Sequence, residues 1–385
     1  MAILTGATAL AALTWVYLVL FRGWFWRTDT RLPADPPAPA TWPSVAVVVP
    51  ARNEAEVLPA TLPALLAQDY PGRCRVVLVD DGSEDGTASV ARSLAGQPGA
   101  NAPLSVFDAG ARPEGWAGKV WALAQGAAVL TDEEFLLAID ADIVHPEGSL
   151  RRLIATACAA DLDVVSLMVR LRVRTGWERL VIPAFVYFFA QLYPFRWVNR
   201  SGSRTAAAAG GCILVRASAL RAAGGYPAIR GQVIDDVALA RALKSSGARI
   251  WLGLADDVAS VRANDRLGDL WDMVARTAFC QLRYSVLLLA GTVVGLAFTY
   301  LLPVAGLVVG LATGSWLVAA AGAVALALMV TSYAPMLGYY GQPRAAVVAL
   351  PFTATLYLAM TVDSARRHWT GAGTSWRGRR YARLR

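Results

Sequence analysis

The sequence predicts an α/β domain that is flanked at both ends by membrane-spanning helices. Apolar residues make up 56% of the 385 residues, and the mean hydropathy of +0.44 is high for an ordinary soluble domain. These apolar residues are collected into long blocks near the two ends of the chain. Between the blocks, short β-branched runs alternate with helical stretches, which is the pattern of an α/β sheet.

The charge and the reactive side chains limit the chemistry. The formal net charge is +8, and it is carried almost wholly by arginine, since Lys119 and Lys244 are the only lysines. Much of this charge lies beside apolar blocks, which favours an anionic membrane face over nucleic acid as the partner. The four cysteines form no C-x-x-C pair, and His145 and His368 are the only histidines. Acid–base chemistry therefore falls mainly on carboxylates.

The first element is an N-terminal anchor over residues 1–22. Residues 3–21 carry no charge and are long enough to span a bilayer. Arg22, Arg27 and Arg31 follow this segment, whereas a cleaved signal peptide carries its basic residues in front. We therefore expect an uncleaved anchor with the following chain in the cytoplasm, and a stiff Pro-rich linker over residues 23–43.

The α/β domain is predicted over residues 44–285. The runs "SVAVVVP", "CRVVLVDDGS", "FLLAID" and "LDVVSLMV" are nearly continuous apolar strands, as in a sheet that is covered on both faces. Ligands bind such sheets at the carboxyl ends of the strands. Asp80, Asp81, Asp140 and Asp142 all follow strands in this way.

An aromatic segment interrupts this domain at residues 180–195, "LVIPAFVYFFAQLYPF". It contains Pro183 and Pro194 and is bordered by Arg179 and Arg196. It is either a core helix or a segment at the membrane interface, where aromatic side chains and arginines concentrate. We favour the interfacial segment.

The C-terminal membrane region is predicted over residues 286–363. It holds two spans and a further apolar block, broken by Pro351, that is a re-entrant or third span. The tail over residues 364–385 carries seven arginines and no acid. A third complete span would place this tail outside the cell, against the positive-inside tendency, so we favour a re-entrant segment and a cytoplasmic tail.

The pair Asp140 and Asp142 in "FLLAIDADIVHPEG" has three interpretations. The acids could cap a helix that begins near Pro146 and Glu147. "DADIV" also fits the D-x-D-x-[TV] pattern of haloacid-dehalogenase-type phosphohydrolases, in which Asp140 would be the nucleophile. Third, the pair could hold a divalent cation against a diphosphate. The phosphohydrolase pattern lies on the first strand of its domain, whereas here at least two strands precede it, which favours the cation.

An ordered set of motifs resembles the family 2 glycosyltransferases, which are inverting enzymes with a GT-A fold. The motifs are "VVVPARNEAE", "VLVDDGSEDGT", "WAGKVWALAQG", "LLAIDAD", "AAAGGCILVRASALRAAGGY" and "VIDDVALARALKSSG", and the resemblance covers residues 44–285. With the anchor, "RTAFCQLRYS" and "HWTGAGTSWRGRRY", the chain most resembles hopene-associated glycosyltransferases. It is similar, more distantly, to ceramide glucosyltransferases.

This resemblance implies a GT-A (Rossmann-like nucleotide-diphospho-sugar transferase) domain with N-terminal and C-terminal transmembrane helices. It implies transfer of a sugar from a nucleotide-diphosphate sugar, most often a UDP-sugar, to a hopanoid-type or other lipid hydroxyl. The reaction would need Mg²⁺ or Mn²⁺ and would take place at the cytoplasmic face of the bacterial inner membrane. A polyprenyl-phosphate glycosyltransferase and a membrane-bound phosphohydrolase using Asp140 remain alternatives.

The resemblance also implies the residues that bind the donor, which come from several strand-end loops. Carboxylates among them suit the uracil N–H and the ribose hydroxyls. Asp142, with Asp140, is the expected metal ligand. The expected nucleotide-sugar site consists of Pro50, Arg52, Glu54, Asp80, Asp81, Lys119, Asp140, Gly211 and Arg276.

The implied catalytic residues are Asp236, Asp235 and Arg283. Asp236 of "VIDDVALA" would be the general base, and Asp235 replaces the usual glutamate of the family. Arg283 matches the arginine of the motif [QR]-x-x-R-W and would support the diphosphate. Cys280 occupies the first position of that motif and Tyr284 the last. This departure weighs against a processive polysaccharide synthase.

Overall fold

The structure is a computed structural model that describes residues 1–371 and the backbone of Ser375–Trp376 and Arg379–Arg380. The rest of the basic tail lies outside the described residues. The chain divides into two compact units. The sheet unit contains Asp29–Arg172 and Trp197–Ala263, and the helical unit contains Met1–Thr28, Val173–Arg196 and residues 264–371. The predicted α/β domain with apolar helices near both termini is confirmed.

One mixed sheet of eight strands organises the sheet unit, in the order β3-β2-β1-β4-β7-β6-β8-β5. The strands are β1 (Val45–Ala51), β2 (Cys74–Asp80), β3 (Leu104–Asp108), β4 (Phe135–Ile139), β5 (Ile143–Val144), β6 (Val164–Arg170), β7 (Cys212–Arg216) and β8 (Ile250–Ser260).

Helices connect these strands or form the helical unit. In chain order they are α1 (Ala2–Phe21), α2 (Leu58–Leu66), α3 (Thr87–Leu94), α4 (Gly118–Ala128), α5 (Ser149–Ala159), α6 (Gly176–Leu192), α7 (Phe195–Val198), α8 (Ala217–Ala222), α9 (Asp235–Ser245), α10 (Leu267–Ala275), α11 (Ala278–Gln281), α12 (Val286–Leu296), α13 (Leu302–Ala312), α14 (Trp316–Tyr339) and α15 (Leu350–Trp369).

The four strands β3, β2, β1 and β4 are parallel, so their carboxyl ends meet at one edge of the sheet. Every residue of β1 and β4 is buried, which explains why both read as continuous apolar runs. Helix α4 lies very close to this sheet: a Cβ on Gly126 would come within 2.3 Å of Val48 Cγ1. Strand β7 then pairs antiparallel with β4, which makes the sheet mixed.

In the helical unit, a tryptophan of α1 donates a hydrogen bond to the backbone carbonyl that a proline leaves without a donor in a long apolar helix. Helices α12 and α13 are joined by a π-helical turn, Ala297–Leu301, to form one segment, Val286–Ala312. Pro303 has no N–H to donate to the carbonyl of Thr299, four residues earlier. The buried Trp15 of α1 donates its Nε1–H to that carbonyl instead, at 2.7 Å. The Thr299 carbonyl therefore has a hydrogen-bond donor in this apolar environment, although Pro303 cannot supply one.

Small residues bring the apolar helices of this unit together. A Cβ on Gly306 would come within 2.6 Å of Thr8, and one on Gly322 within 2.6 Å of the Leu307 backbone. Such close backbone approach is typical of helix packing in membranes. Gly310 lies against Ala319 and Gly322 against Leu307, so α14 runs antiparallel to α13.

Within the described part of the chain, four helices are long and apolar enough to cross a membrane: Ala2–Phe21, Val286–Ala312, Trp316–Tyr339 and Arg344–Trp369. The fourth includes the apolar block around Pro351, which the sequence predicted as a re-entrant segment or a third span. The aromatic segment 180–195 falls largely in α6, which begins with a capping box between Thr175 and Glu178. Its placement at the membrane interface stays a prediction.

Candidate functional site

Asp140 and Asp142 lie at the carboxyl edge of the parallel strands. Asp140 directly follows β4, and Asp142 directly precedes the short strand β5. Helix α5 begins only at Ser149, with Gly148 as its N-cap residue. The suggestion that the two acids cap a helix starting near Pro146 is therefore wrong, because strand β5 separates them from that helix.

Lys119, in the first turn of α4, lies between an acid that follows β4 and an acid that begins α9. Its Nζ is 2.7 Å from Asp140 Oδ1 and 3.4 Å from Asp235 Oδ2, and its side chain is 17% exposed. Burial alone would lower the pKa of Lys119, but Asp140 and Asp235 together raise it above its ordinary value. Lys119 is thus a fixed positive charge that links the end of β4 to the start of α9.

Asp236 is held by backbone donors at the start of α9. Its Oδ2 accepts the N–H of Gly210 at 2.9 Å, and its Oδ1 accepts the N–H of Val237 at 2.7 Å. Burial, and next the neighbouring Asp235 carboxylate, raise the pKa of Asp236 to about 6. A Cβ on Gly210 would lie 3.3 Å from Asp236 Oδ2 and 3.0 Å from Lys119 Nζ, so the glycine leaves room for both side chains.

Asp142 takes part in a second ion-paired network. Ser260, the last residue of β8, donates its hydroxyl to Asp142 Oδ2, and Arg262 Nε lies 3.4 Å from the same oxygen. Arg262 Nη2 also pairs with Glu54 Oε2 at 2.5 Å. Burial raises the pKa of Glu54 to about 7, although Arg262 opposes this rise. The network joins the loop after β1 to the Asp142 carboxylate.

The loops after β1 and β2 are fastened to each other. Arg52 is buried, and its Nη1 donates to the backbone carbonyls of Asp81 and Gly82. Asp80 Oδ1 accepts hydrogen bonds from the backbone N–H and the hydroxyl of Ser83. Pro50 lies inside β1, opposite Val79 of β2. These residues shape the edge of the sheet, and their contact with a nucleotide stays a prediction.

The other predicted site residues lie in different surroundings. Gly211 follows the Gly210 that contacts Asp236, and a Cβ on it would come within 2.9 Å of Val169 Cγ2. Arg276 and Arg283 belong to the helical unit and are exposed. Arg283 and Tyr284 both have positive φ, 51° and 56°, in a strained turn before α12. The roles assigned to these residues stay predictions.

Sequence reasoning missed Ser260, Arg262 and Tyr226. Arg262 occurs in "SVRAND", which matches none of the motifs, and only the pairing of β5 with β8 brings it beside Asp142. The hydroxyl of Tyr226 is buried without a hydrogen-bond partner among the described residues, and burial, together with the Asp235 charge, raises the pKa of this tyrosine. His145 is also buried, with its pKa lowered to about 4, so it is a neutral loop residue.

The carboxylate pair is suited to a divalent cation. Burial raises the pKa of Asp140, and the nearby Asp142 charge raises it further against the effect of Lys119. A hard cation between the two carboxylates would relieve this repulsion. Among residues 1–371, no cluster of three or more His, Cys, Asp or Glu side chains is placed to bind a metal ion. A cation held by Asp140 and Asp142 would therefore have to complete its coordination with phosphate oxygens and water.

The structure is similar to that of the mannosyltransferase PcManGT from Pyrobaculum calidifontis in complex with GDP-Man and Mn²⁺. The TM-score is 0.56 at 22% identity, covering 94% of this chain and 99% of the other. At this identity the likeness shows the shared GT-A fold.

A family model described as "Glycosyltransferase like family 2" matches residues 43–277, so the chain belongs to that family. Because the chain belongs to a glycosyltransferase family, the alternative of a phosphohydrolase with Asp140 as its nucleophile is set aside.

Two relatives of known name match shorter stretches. The 4,4'-diaponeurosporenoate glycosyltransferase of Staphylococcus haemolyticus is 34% identical over 30% of this chain and 28% of its own length. The undecaprenyl-phosphate 4-deoxy-4-formamido-L-arabinose transferase of Sodalis glossinidius is 30% identical over 35% of this chain and 39% of its own length. The chain spans 18% to 60% of the lengths of the curated relatives that we compared.

Proposed function

We propose that the protein is a membrane-anchored inverting glycosyltransferase that moves a sugar from a nucleotide-diphosphate sugar to a lipid acceptor. The position of Asp236 is the observation that carries this proposal. Its carboxylate is oriented by two backbone N–H groups, and its pKa of about 6 leaves it ionised at neutral pH but still basic enough to accept a proton.

In this mechanism Asp236 accepts the proton of an acceptor hydroxyl while the hydroxyl oxygen attacks the anomeric carbon. The bond from that carbon to the diphosphate oxygen breaks on the opposite face, so one displacement inverts the configuration. Lys119 holds Asp140 and Asp235 in place. Asp142 and Asp140 would hold Mg²⁺ or Mn²⁺, which offsets the charge on the leaving nucleoside diphosphate. Arg283 is proposed to support that diphosphate.

The membrane helices and the relatives support the proposed acceptor class. Four helices among the residues that the structure describes are long and apolar enough to span a bilayer, so an acceptor dissolved in the membrane would be close to the enzyme. One relative is named for a diaponeurosporenoate acceptor and another for undecaprenyl phosphate. We propose a lipid hydroxyl, hopanoid-type in keeping with the motif resemblance, with polyprenyl phosphate as the alternative. The proposed donor is a UDP-sugar.

We further propose that the catalytic domain and the basic tail face the cytoplasm at the inner membrane. The contacts of α15 support this topology. Ala365 near its end packs with Leu289 at the start of the second apolar segment, while Thr353 near its start shares a cavity with Leu337 at the end of the third. The second and third segments are antiparallel, which supports our proposal that both ends of α15 lie toward one side of the membrane. A re-entrant α15 therefore returns the tail to the side of the domain.

The reaction is tested by incubating the purified full-length protein with a panel of nucleotide sugars, Mn²⁺ and bacterial lipid extract. Mass spectrometry of the lipids should show one acceptor whose mass increases by one sugar residue. The topology is tested with a protease-cleavable tag at the C-terminus in inside-out vesicles, where we expect cleavage. A tag that is protected in these vesicles would contradict the re-entrant α15.

A further inference from the structure

Arg262 lies beside Asp142 because the backbone pairing places it there. Strands β5 and β8 pair antiparallel, with Ile143 opposite Ser260. The pairing continues one step further, where the N–H of Val261 donates to the carbonyl of Asp142 at 2.9 Å. Arg262 is the next residue, and its own N–H bonds to the Ser260 hydroxyl at 3.2 Å. The sheet thus sets the position of this arginine.

The guanidinium of Arg262 occupies the side of Asp142 that faces Glu54. It pairs through Nη2 with Glu54 Oε2 at 2.5 Å and through Nε with Asp142 Oδ2 at 3.4 Å. Ser260 donates to the same Asp142 oxygen. The Arg262 side chain is 25% exposed, against 7% for Glu54 and 14% for Asp142. A cation that approaches this carboxylate must compete with a positive charge already paired to it.

A diphosphate would change this balance. A guanidinium binds phosphate oxygens well through its fork of N–H donors, and it remains charged at all accessible pH values. A donor diphosphate beside Asp142 would offer Arg262 a new anionic partner. The same diphosphate would supply the oxygens that a cation on Asp140 and Asp142 needs to complete its coordination.

We propose that Arg262 is a built-in counter-ion of Asp142 that is displaced by the cation and the donor diphosphate together. Arg262 weakens the binding of the cation alone and leaves Asp142 for the diphosphate when the nucleotide binds. It is a positioning residue that makes cation binding and nucleotide binding cooperative, and by linkage each ligand strengthens the other equally. This inference rests on the proposed function, since it assumes a nucleotide-diphosphate donor.

The test measures Mn²⁺ binding to the full-length protein in detergent by the EPR signal of free Mn²⁺, without nucleotide and with UDP or GDP. For the native protein we expect weak Mn²⁺ binding alone and binding roughly tenfold tighter or more with a nucleoside diphosphate. For Arg262→Gln we expect roughly tenfold tighter Mn²⁺ binding without nucleotide, and a much smaller gain when nucleotide is added.

Arg152→Gln is the matched control. Arg152 pairs with Asp257 of β8 at 2.5 Å and is 22% exposed, so its replacement removes an equal charge and a similar ion pair. We expect this variant to bind Mn²⁺ as the native protein does. Arg262→Lys keeps the charge but cannot make both contacts, and we expect an intermediate Mn²⁺ affinity. If Arg262→Gln does not fold, as judged by its thermal melting, Arg262→Lys carries the comparison.

The outcomes separate this inference from the function on which it rests. A native protein that binds Mn²⁺ neither alone nor with UDP or GDP contradicts the metal-dependent function and the inference with it. A native protein that binds Mn²⁺ cooperatively with nucleotide, alongside an Arg262→Gln variant that behaves in the same way, overturns the inference and leaves the function intact. Weaker Mn²⁺ binding by Arg262→Gln without nucleotide also overturns it, because Arg262 would then merely support the fold of the site.

Discussion

Replacing Lys119 by methionine removes an ammonium group but keeps a side chain of similar length. The lost attractions can be sized from the structure. At 2.7 Å from Asp140 and 3.4 Å from Asp235, they amount to about 6 and about 5 kcal/mol with an effective dielectric constant of about 20. The cost of removing these charges from water offsets much of this sum. Loss of one partner of a buried pair typically costs about 3 to 5 kcal/mol.

We expect the lower end for Lys119→Met, about 3 kcal/mol, because the Asp140 side chain is 35% exposed. In a thermal melt this corresponds to a fall in Tm of about 6 to 12 °C. The deficit should depend on pH. Burial and Asp142 raise the pKa of Asp140, and in the variant Lys119 no longer opposes them. An acid whose folded pKa is raised destabilises the fold when it is ionised, and this effect is relieved as the pH falls through that pKa.

The assay is thermal unfolding followed by intrinsic fluorescence in detergent, from pH 8 to pH 5. The Tm of Lys119→Met should approach that of the native protein as the pH falls. The control is Lys244→Met, since Lys244 donates only to the backbone carbonyls of Val198, Arg200 and Thr205 in the hydrogen bonds observed. Its deficit should not change over this range. If the two variants lose the same Tm at every pH, the assigned electrostatic role of Lys119 is incorrect.

Three further predictions concern activity. Asp236→Asn should lower the rate of sugar transfer about 10²- to 10⁴-fold with an unchanged fold. The native rate should fall as the pH drops below about 6, where Asp236 takes up a proton. A rate that does not change between pH 8 and pH 5 would contradict this role. Gly210→Ala should lower the rate about 10- to 100-fold, because its Cβ would press on Asp236 and Lys119. The control Gly202→Ala, which has open space around its Cβ, should keep the native rate. Chelation of divalent cations should abolish transfer, and added Mn²⁺ should restore it. Asp142→Asn should raise the Mn²⁺ concentration that transfer requires. Full activity in excess chelator would refute the metal requirement.

The fold could be predicted because its signals are local. Continuous apolar strands followed by acids predict buried parallel strands with polar residues at their carboxyl edge, and β1, β2 and β4 have this arrangement. The apolar blocks likewise appear as long apolar helices. The antiparallel strand β7 was not predicted, because an apolar run carries no information about strand direction.

The network around the site was harder to predict. The motifs identified Asp140, Asp142 and Asp236, but the ion pairs and hydrogen bonds that fix them depend on contacts between residues far apart in sequence. Arg262 meets Glu54 across 208 positions of the chain, and no periodicity reports such a contact. Lys119 was expected in the nucleotide-sugar site, and the structure shows that it pairs with Asp140 and Asp235.

The central claim is that Asp236 is the base for sugar transfer with inversion. The most direct measurement is the anomeric configuration of the lipid-linked sugar, determined by NMR on product made from an α-linked nucleotide sugar by the native protein and by Asp236→Asn. We predict a β-linked product from the native protein and almost none from the variant. An α-linked product, or an unimpaired Asp236→Asn variant, would contradict the mechanism.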